Sequence, residues 1–219
     1  MKINFVHILP NEISMGSLQS NMLTPRPYLS WSSMHLLETS EEAWLQHYVY
    51  GKKIPINKGM AFGSIMAENL ETDGSSGDAM LDIVMVKLPK LELRDVSFEV
   101  ALKNGKDSVP LIIKPDSASE DYSAFYEYKT GKKRWTKSAV DTFGQLTFYA
   151  TGMYLKTGRV PKDIRLIHVM TEDHFGDIRA TGEIFEHRTE RTMLDILSMM
   201  IRMKRAWKRI GEISTESFF

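Results

Sequence analysis

A β-strand alternates its faces with period 2, and that rule bears hardest on the stretch AFYEYKTGKKRWT, residues 124–136. Four of its first five residues are apolar or aromatic, as in a half-buried strand, yet Glu127 and Lys129 stand two apart within it. Both must project from one side while Tyr126 and Tyr128 project from the other. Any fold built on this segment has to hold a carboxylate and an ammonium side by side on one face of a sheet.

The elements around it can be read from periodicity and caps. Residues 1–29 contain the close prolines of TPRPYLS and no long periodic pattern, so they read as an irregular N-terminal arm with room for one short strand at INFVHIL. Residues 30–219 read as a single domain. Ser and Thr caps precede two short helices, SSMHLLE and SEEAWLQHYVYG, and KGMAFGSIMAENLE forms a further helix after Asn57. DGSSGD is a turn, and MLDIVMVKL suits helix or strand equally. VSFEVAL and VPLIIKP look like strands joined through NGKD, and with the 124–129 strand they predict a three-stranded meander with carboxylates near its end. KSAVDTFGQLTFYATGMYLKTG reads as one helix of about six turns, carrying Gln145 and Tyr149 one turn apart. DIRLIHVM and IRATGEIF form a strand and its hairpin partner, and the last element is a long amphipathic helix with a basic C-terminal half.

Composition narrows the chemistry. The absence of cysteine excludes disulfides, thiolate zinc sites and an iron–sulfur cluster held by cysteine. Twenty-eight basic residues balance twenty-eight acidic ones, so any polyanion site must be local. No apolar run approaches the roughly 18 residues of a membrane helix, and the first residues make a poor signal peptide. A soluble, cytoplasmic protein without a membrane partner is expected.

Asp116 ends one strand and Glu127 lies near the end of the next. If those strands pair, two carboxylates converge with Lys129 beside them, and such a pair is unfavourable unless a cation sits between. A hard ion such as Mg2+ or Mn2+ answers that problem. Pro115-Asp116 followed by Glu127-Tyr128-Lys129 resembles the signature of the PD-(D/E)xK nuclease superfamily. EYKTGK and Gln145-Leu-Thr-Phe-Tyr149, a Q-x-x-x-Y pattern, are similar to its RecB-like and phage exonuclease branch, over roughly residues 30–155. The resemblance implies an α/β, restriction-endonuclease-like fold with a mixed central β-sheet flanked by helices. It implies a Mg2+- or Mn2+-dependent deoxyribonuclease, an exonuclease in recombination, repair or phage DNA processing, with DNA as substrate and a recombination or helicase protein as partner. Asp116, Glu127, Lys129, Gln145 and Tyr149 become the catalytic candidates, and Asp116, Glu127 and the Tyr128 carbonyl the metal ligands.

The chain departs from the branch at one position. Where its members carry a ligating His or Glu on the early helix, Gly63-Ser-Ile-Met-Ala67 places an alanine. Glu68 is the substitute expected to reach the metal, with Glu71 the second choice. The alternative is a nuclease-fold module that binds nucleic acid or a protein without cutting it. For the DNA backbone, Lys132, Lys133, Arg134 and Lys137, with Trp135 among them, adjoin the site. A second cluster, Arg202, Lys204, Arg205, Lys208 and Arg209 around Trp207, suits a solvated helix face. TEDHFGD groups four polar residues where a hairpin turn is expected.

Overall fold

The computed structural model describes residues 26–72 and 74–216, so the strand expected at INFVHIL lies outside the described residues. In chain order come α1 (Trp31–Thr39), α2 (Glu41–Trp44) running into a π-helical turn at Leu45–Val49, α3 (Lys58–Thr72) and α4 (Ala79–Lys87). There follow β1 (Leu93–Arg94), β2 (Phe98–Asn104), β3 (Asp107–Ile113), β4 (Ser117–Ala118) and β5 (Ala124–Gly131). The chain then forms α5 (Lys137–Asp141), α6 (Gly144–Thr157), β6 (Asp163–His174), β7 (Asp177–Thr189) and α7 (Met193–Glu216). Ser30 caps α1 by accepting from the Ser33 amide, and Asn57 caps α3 by accepting from the Met60 amide at 2.9 Å.

The central sheet has five strands in the order β1-β4-β5-β6-β7. Only β5 and β6 run parallel, joined by the crossover through α5 and α6; the other pairs are antiparallel. This is a mixed α/β sheet flanked by helices, as expected. Phe125 faces α6 and joins the core formed with Leu146, Phe148, Ile164, Leu166 and α7. Tyr126 and Tyr128 face the other way, onto Phe62, Met66 and Leu70 of α3 and Leu81 and Val84 of α4. Burying a side chain the size of Phe125 contributes about 1.5–3 kcal/mol, so both faces of β5 are strongly specified. MLDIVMVKL resolves as helix because one side of it meets this second core.

The predicted meander does not form. β2 and β3 stay outside the central sheet, in a separate hairpin that packs on α6, and Leu29 bridges to Leu111 of β3 through the Pro110 carbonyl and the Ile112 amide. A Cβ on Gly152 would overlap Ile113, so that glycine permits the close approach of hairpin and helix. Pro115 has no amide hydrogen to continue the ladder, and after it the chain starts a new strand, β4, which pairs with β5 through Ser117↔Tyr126 and Ala118↔Phe125. The carboxylates still converge, because continuing that register by one residue sets Asp116 opposite Glu127.

The helix predicted over 137–158 is also broken, at Thr142 and Phe143, with Phe143 extended (φ −70, ψ 109) as the N-cap of α6. The carbonyls of Val140 and Phe143 at the break accept the Phe143 and Leu146 amides and gain a second donor in Arg191, which is 7% exposed. Its guanidinium donates to the carbonyls of Val140 (3.2 Å), Phe143 (3.3 Å) and Glu190 (2.8 Å) and to the hydroxyls of Thr147 (2.7 Å) and Thr189 (2.6 Å). Arg191→Ala leaves the Glu190 carbonyl and the Thr147 hydroxyl without this donor, while the Val140 and Phe143 carbonyls keep the Phe143 and Leu146 amides, and is expected to cost about 2–3 kcal/mol, a fall of roughly 4–12 °C in Tm. A melting temperature within about 2 °C of wild type would show that the break is held by other contacts.

Helix α7 buries Ile196, Met199, Met203, Ala206, Ile210 and Ile213, alternating spacings of three and four. Its basic side is largely engaged within the molecule. Arg202 makes a bidentate pair with Glu38 (3.1 and 2.6 Å), and Arg209 does so with Glu41 (2.8 and 2.7 Å), tying α7 to α1 and α2. Lys208 lies 3.5 Å from Glu212 on the same helix. Among the described residues no helix is long and apolar enough to cross a membrane.

Candidate active site

Two strands and two helices meet at the C-terminal half of β5. Glu127 projects toward α6, is 2% exposed, and has its Oε1 atom bound twice. Lys129 Nζ donates to it at 2.6 Å, and Gln145 Nε2 donates to it at the same distance. Gln145 Nε2 also donates to the Tyr149 hydroxyl at 2.9 Å, so both amide hydrogens are committed. The four-residue spacing puts Gln145 and Tyr149 on one face of α6, and the break at Phe143 sets Gln145 in that helix's first turn. Asp116 is held from the other side, its Oδ2 accepting the Tyr128 amide at 2.7 Å. The Tyr128 side chain points away and donates to the Pro89 carbonyl at 2.6 Å. The five catalytic candidates are therefore one connected group.

Electrostatically this group is short of positive charge. Burial, with the charge of Asp116 next in importance, pushes the Glu127 carboxyl up to about 8, although Lys129 pulls the other way. Burial likewise raises Asp116; Lys129 and the Tyr128 amide oppose the rise, and Glu71 adds to it. Burial works against the charge of Lys129, but Glu127 and Asp116 together outweigh it and hold the ammonium above its ordinary range. Desolvation raises Tyr149 as well, reinforced by Glu127, so its hydroxyl stays neutral. Glu127 Oε2 is buried with no hydrogen-bond partner. A buried, unpartnered carboxylate oxygen beside a second carboxylate is costly unless a proton or a cation joins it.

The group opens into a cleft of about 590 Å³ between α3 and β5, lined by Asn57, Gly63 and Ala67 on one side and Asp116, Lys129 and Thr130 on the other. Lys129 keeps 30% of its side chain exposed there while Glu127 sits behind it. Ala67 faces the cleft and offers no ligand. Glu68 is exposed and does not line the cleft, whereas the charge of Glu71 reaches Asp116. Among the described residues no group of three acidic, histidine or cysteine side chains is close enough to hold a metal ion. Asn57 and Thr130 were not singled out as cleft residues from the sequence, although Asn57 was legible as a cap.

The basic stretch after β5 is only partly open. Lys132 pairs with Asp173 at 3.2 Å and Lys137 pairs with Asp141. The guanidinium of Arg134 lies 3.7 Å from the centre of the Phe185 ring, and Lys133 is exposed. Trp135 is half-buried against Phe143, ring centres 4.8 Å apart, so the core takes up part of the aromatic surface proposed for bases. In TEDHFGD the carboxylates brace a turn: Asp173 accepts the Gly176 amide at 2.8 Å, and Asp177 lies 3.4 Å from Lys58.

Neither a protein-family model nor a curated protein sequence matches the chain. Among solved structures, the "putative exonuclease" from Eubacterium rectale superimposes with a TM-score of 0.58 at 12% identity, covering 90% of this chain and 84% of that one. The structure of SSO0001 superimposes with a TM-score of 0.46 at 11% identity, over 82% of this chain and 76% of that one, too distant to carry an argument. The shared architecture of the first pair is a likeness of fold, a mixed sheet with flanking helices.

Proposed function

We propose that this protein is a divalent-metal-dependent deoxyribonuclease of the PD-(D/E)xK type that acts as an exonuclease. The observation that carries the proposal is the convergence of Asp116 and Lys129 on the wall of an open cleft with the buried Glu127 bonded to Lys129 behind them, Gln145 and Tyr149 ordering Glu127 in turn. The fold it shares with the Eubacterium rectale protein supports it.

The residues present fit a hard cation. Mg2+ characteristically takes one or two carboxylates and keeps several waters, and here Glu127 Oε2 is unpartnered beside Asp116. Asp116, Glu127 and the Tyr128 carbonyl would hold the ion, and Glu71 is better placed than Glu68 to add charge from α3. When bound, Mg2+ or Mn2+ supplies Lewis acidity toward phosphate oxygens and a more acidic water. Lys129, partly exposed on the cleft, places its ammonium where charge develops on the phosphate and departing oxygen. Gln145 fixes the rotamer of Glu127, and Tyr149 fixes Gln145. Lys133 and Arg134 offer cations to the backbone, while Lys132 and Lys137 sit in exposed pairs that exchange for phosphate at little cost.

Ala67 and, among the described residues, the lack of a third acidic or histidine side chain at the site favour one competing reading, a module that binds DNA without cutting it. Incubating end-labelled linear and covalently closed circular DNA, single- and double-stranded, with Mg2+, Mn2+ or EDTA separates the two. Metal-dependent loss of linear DNA alone is expected. DNA binding with no cleavage under any metal would replace the proposal with the non-catalytic module.

A further inference from the structure

We propose that Phe175, at the tip of the β6–β7 hairpin, is a stacking platform for an unpaired base of the DNA that enters the cleft; the inference rests on the nuclease reading. Phe175 and Gly176 form a two-residue turn between His174 and Asp177, with φ values of 52 and 87. Positive φ at both positions favours Asn, Asp or Gly at the first. A phenylalanine there is strained, and its ring is also 96% exposed, touching only the edge of His174 at 4.7 Å. Neither feature helps the fold, and an outlier of this kind calls for a function.

The tip is also held in a defined place. Lys58 donates to the Gly176 carbonyl and lies 3.4 Å from Asp177, and Lys132 lies 3.2 Å from Asp173. Lys58 sits between Asn57 and Gly59, and Lys132 follows shortly after Thr130; Asn57, Gly59 and Thr130 all line the cleft. Both walls of the cleft thus brace the turn. Strand β6 continues past Met170, the partner of β5's last residue Gly131, so the tip overhangs the end of the sheet beyond the catalytic strand. Asp173 and Asp177 are each answered by a lysine, and the exposed Glu172 stands opposite Arg179 across the hairpin, so the carboxylates nearest the ring are offset by cations. A single exposed ring among charged side chains lacks the apolar area of a protein interface, whereas it matches the face of one base.

The test measures binding by the full-length chain to a labelled single-stranded oligonucleotide and to an abasic strand of equal length, by fluorescence anisotropy with Ca2+ replacing Mg2+. Phe175→Asn suits the turn, so its melting temperature should equal or exceed that of wild type. Wild type is expected to prefer the base-bearing strand by roughly 5- to 150-fold. Phe175→Asn should lose that preference and still bind the abasic strand like wild type, while Phe175→Trp keeps it. An undiminished preference in Phe175→Asn would overturn the inference and leave the nuclease reading standing. Failure of wild type to bind either strand would overturn both.

Discussion

Asp116→Ala, Glu127→Ala and Lys129→Ala are each expected to lower metal-dependent DNA cleavage by at least about a thousand-fold while the protein stays folded. Asp116 and Glu127 are the two buried carboxylates that converge beside Lys129, so losing either removes a principal ligand and much of the negative charge available to a cation. Lys129 acts differently. Its removal leaves Glu127 buried beside Asp116 with no ammonium at 2.6 Å, and the carboxyl, already pushed up to about 8, takes a proton instead. That relief limits the loss of stability, so the lysine variant should separate activity from folding most cleanly. Gln145→Ala should cost less, about tenfold to a hundredfold, because it loosens a ligand without deleting charge. Single-turnover cleavage of labelled DNA, alongside thermal melts, gives this ranking. Full activity in all three alanine variants would refute the assignment of the site.

The parts of this site that sequence could reveal are those set by local geometry. The period of a strand puts Glu127 and Lys129 on one face, and the structure places them there, bonded at 2.6 Å. The pitch of a helix puts Gln145 beside Tyr149, and they are hydrogen-bonded. Long-range contacts were not legible. Gly144 adjoins the break, but a lone glycine inside a helical pattern does not mark one; the break is stabilised by Arg191, far along the chain, by Phe143 turning its ring onto Trp31 and Trp135, and by the close approach of Trp31 that Gly144 permits. The engagement of α7's arginines by Glu38 and Glu41 joins residues from opposite ends of the domain, so a basic run that looked solvated proves to be a clasp. Pro115 was visible, yet its effect depends on which strand lies next to β4. Sequence marks the proline without showing whether the chain behind it rejoins the same sheet.

Affinity for Mn2+ is expected to rise about tenfold per pH unit between roughly pH 6 and 8 and then level off. The reason is competition at Glu127, whose carboxyl is pushed up to about 8 by burial and by Asp116, so below that pH a proton must leave as the ion binds. Folding stability of the metal-free protein carries the same signature. A carboxyl whose pKa is higher folded than unfolded favours the native state while protonated; stability therefore falls as pH rises from the ordinary glutamate range, near 4.5, to about 8, and is flat above. Saturating Mn2+ should remove much of that fall, because the ion takes the place of the proton. Lys129→Ala deletes the charge that pulls Glu127 down and should move the plateau in metal affinity to higher pH. Calorimetric titration with Mn2+ at pH 6, 7, 8 and 9, paired with denaturant melts in EDTA, measures both curves. An affinity that does not change across this range would mean that Glu127 is no ligand, leaving Asp116 to hold any metal without it.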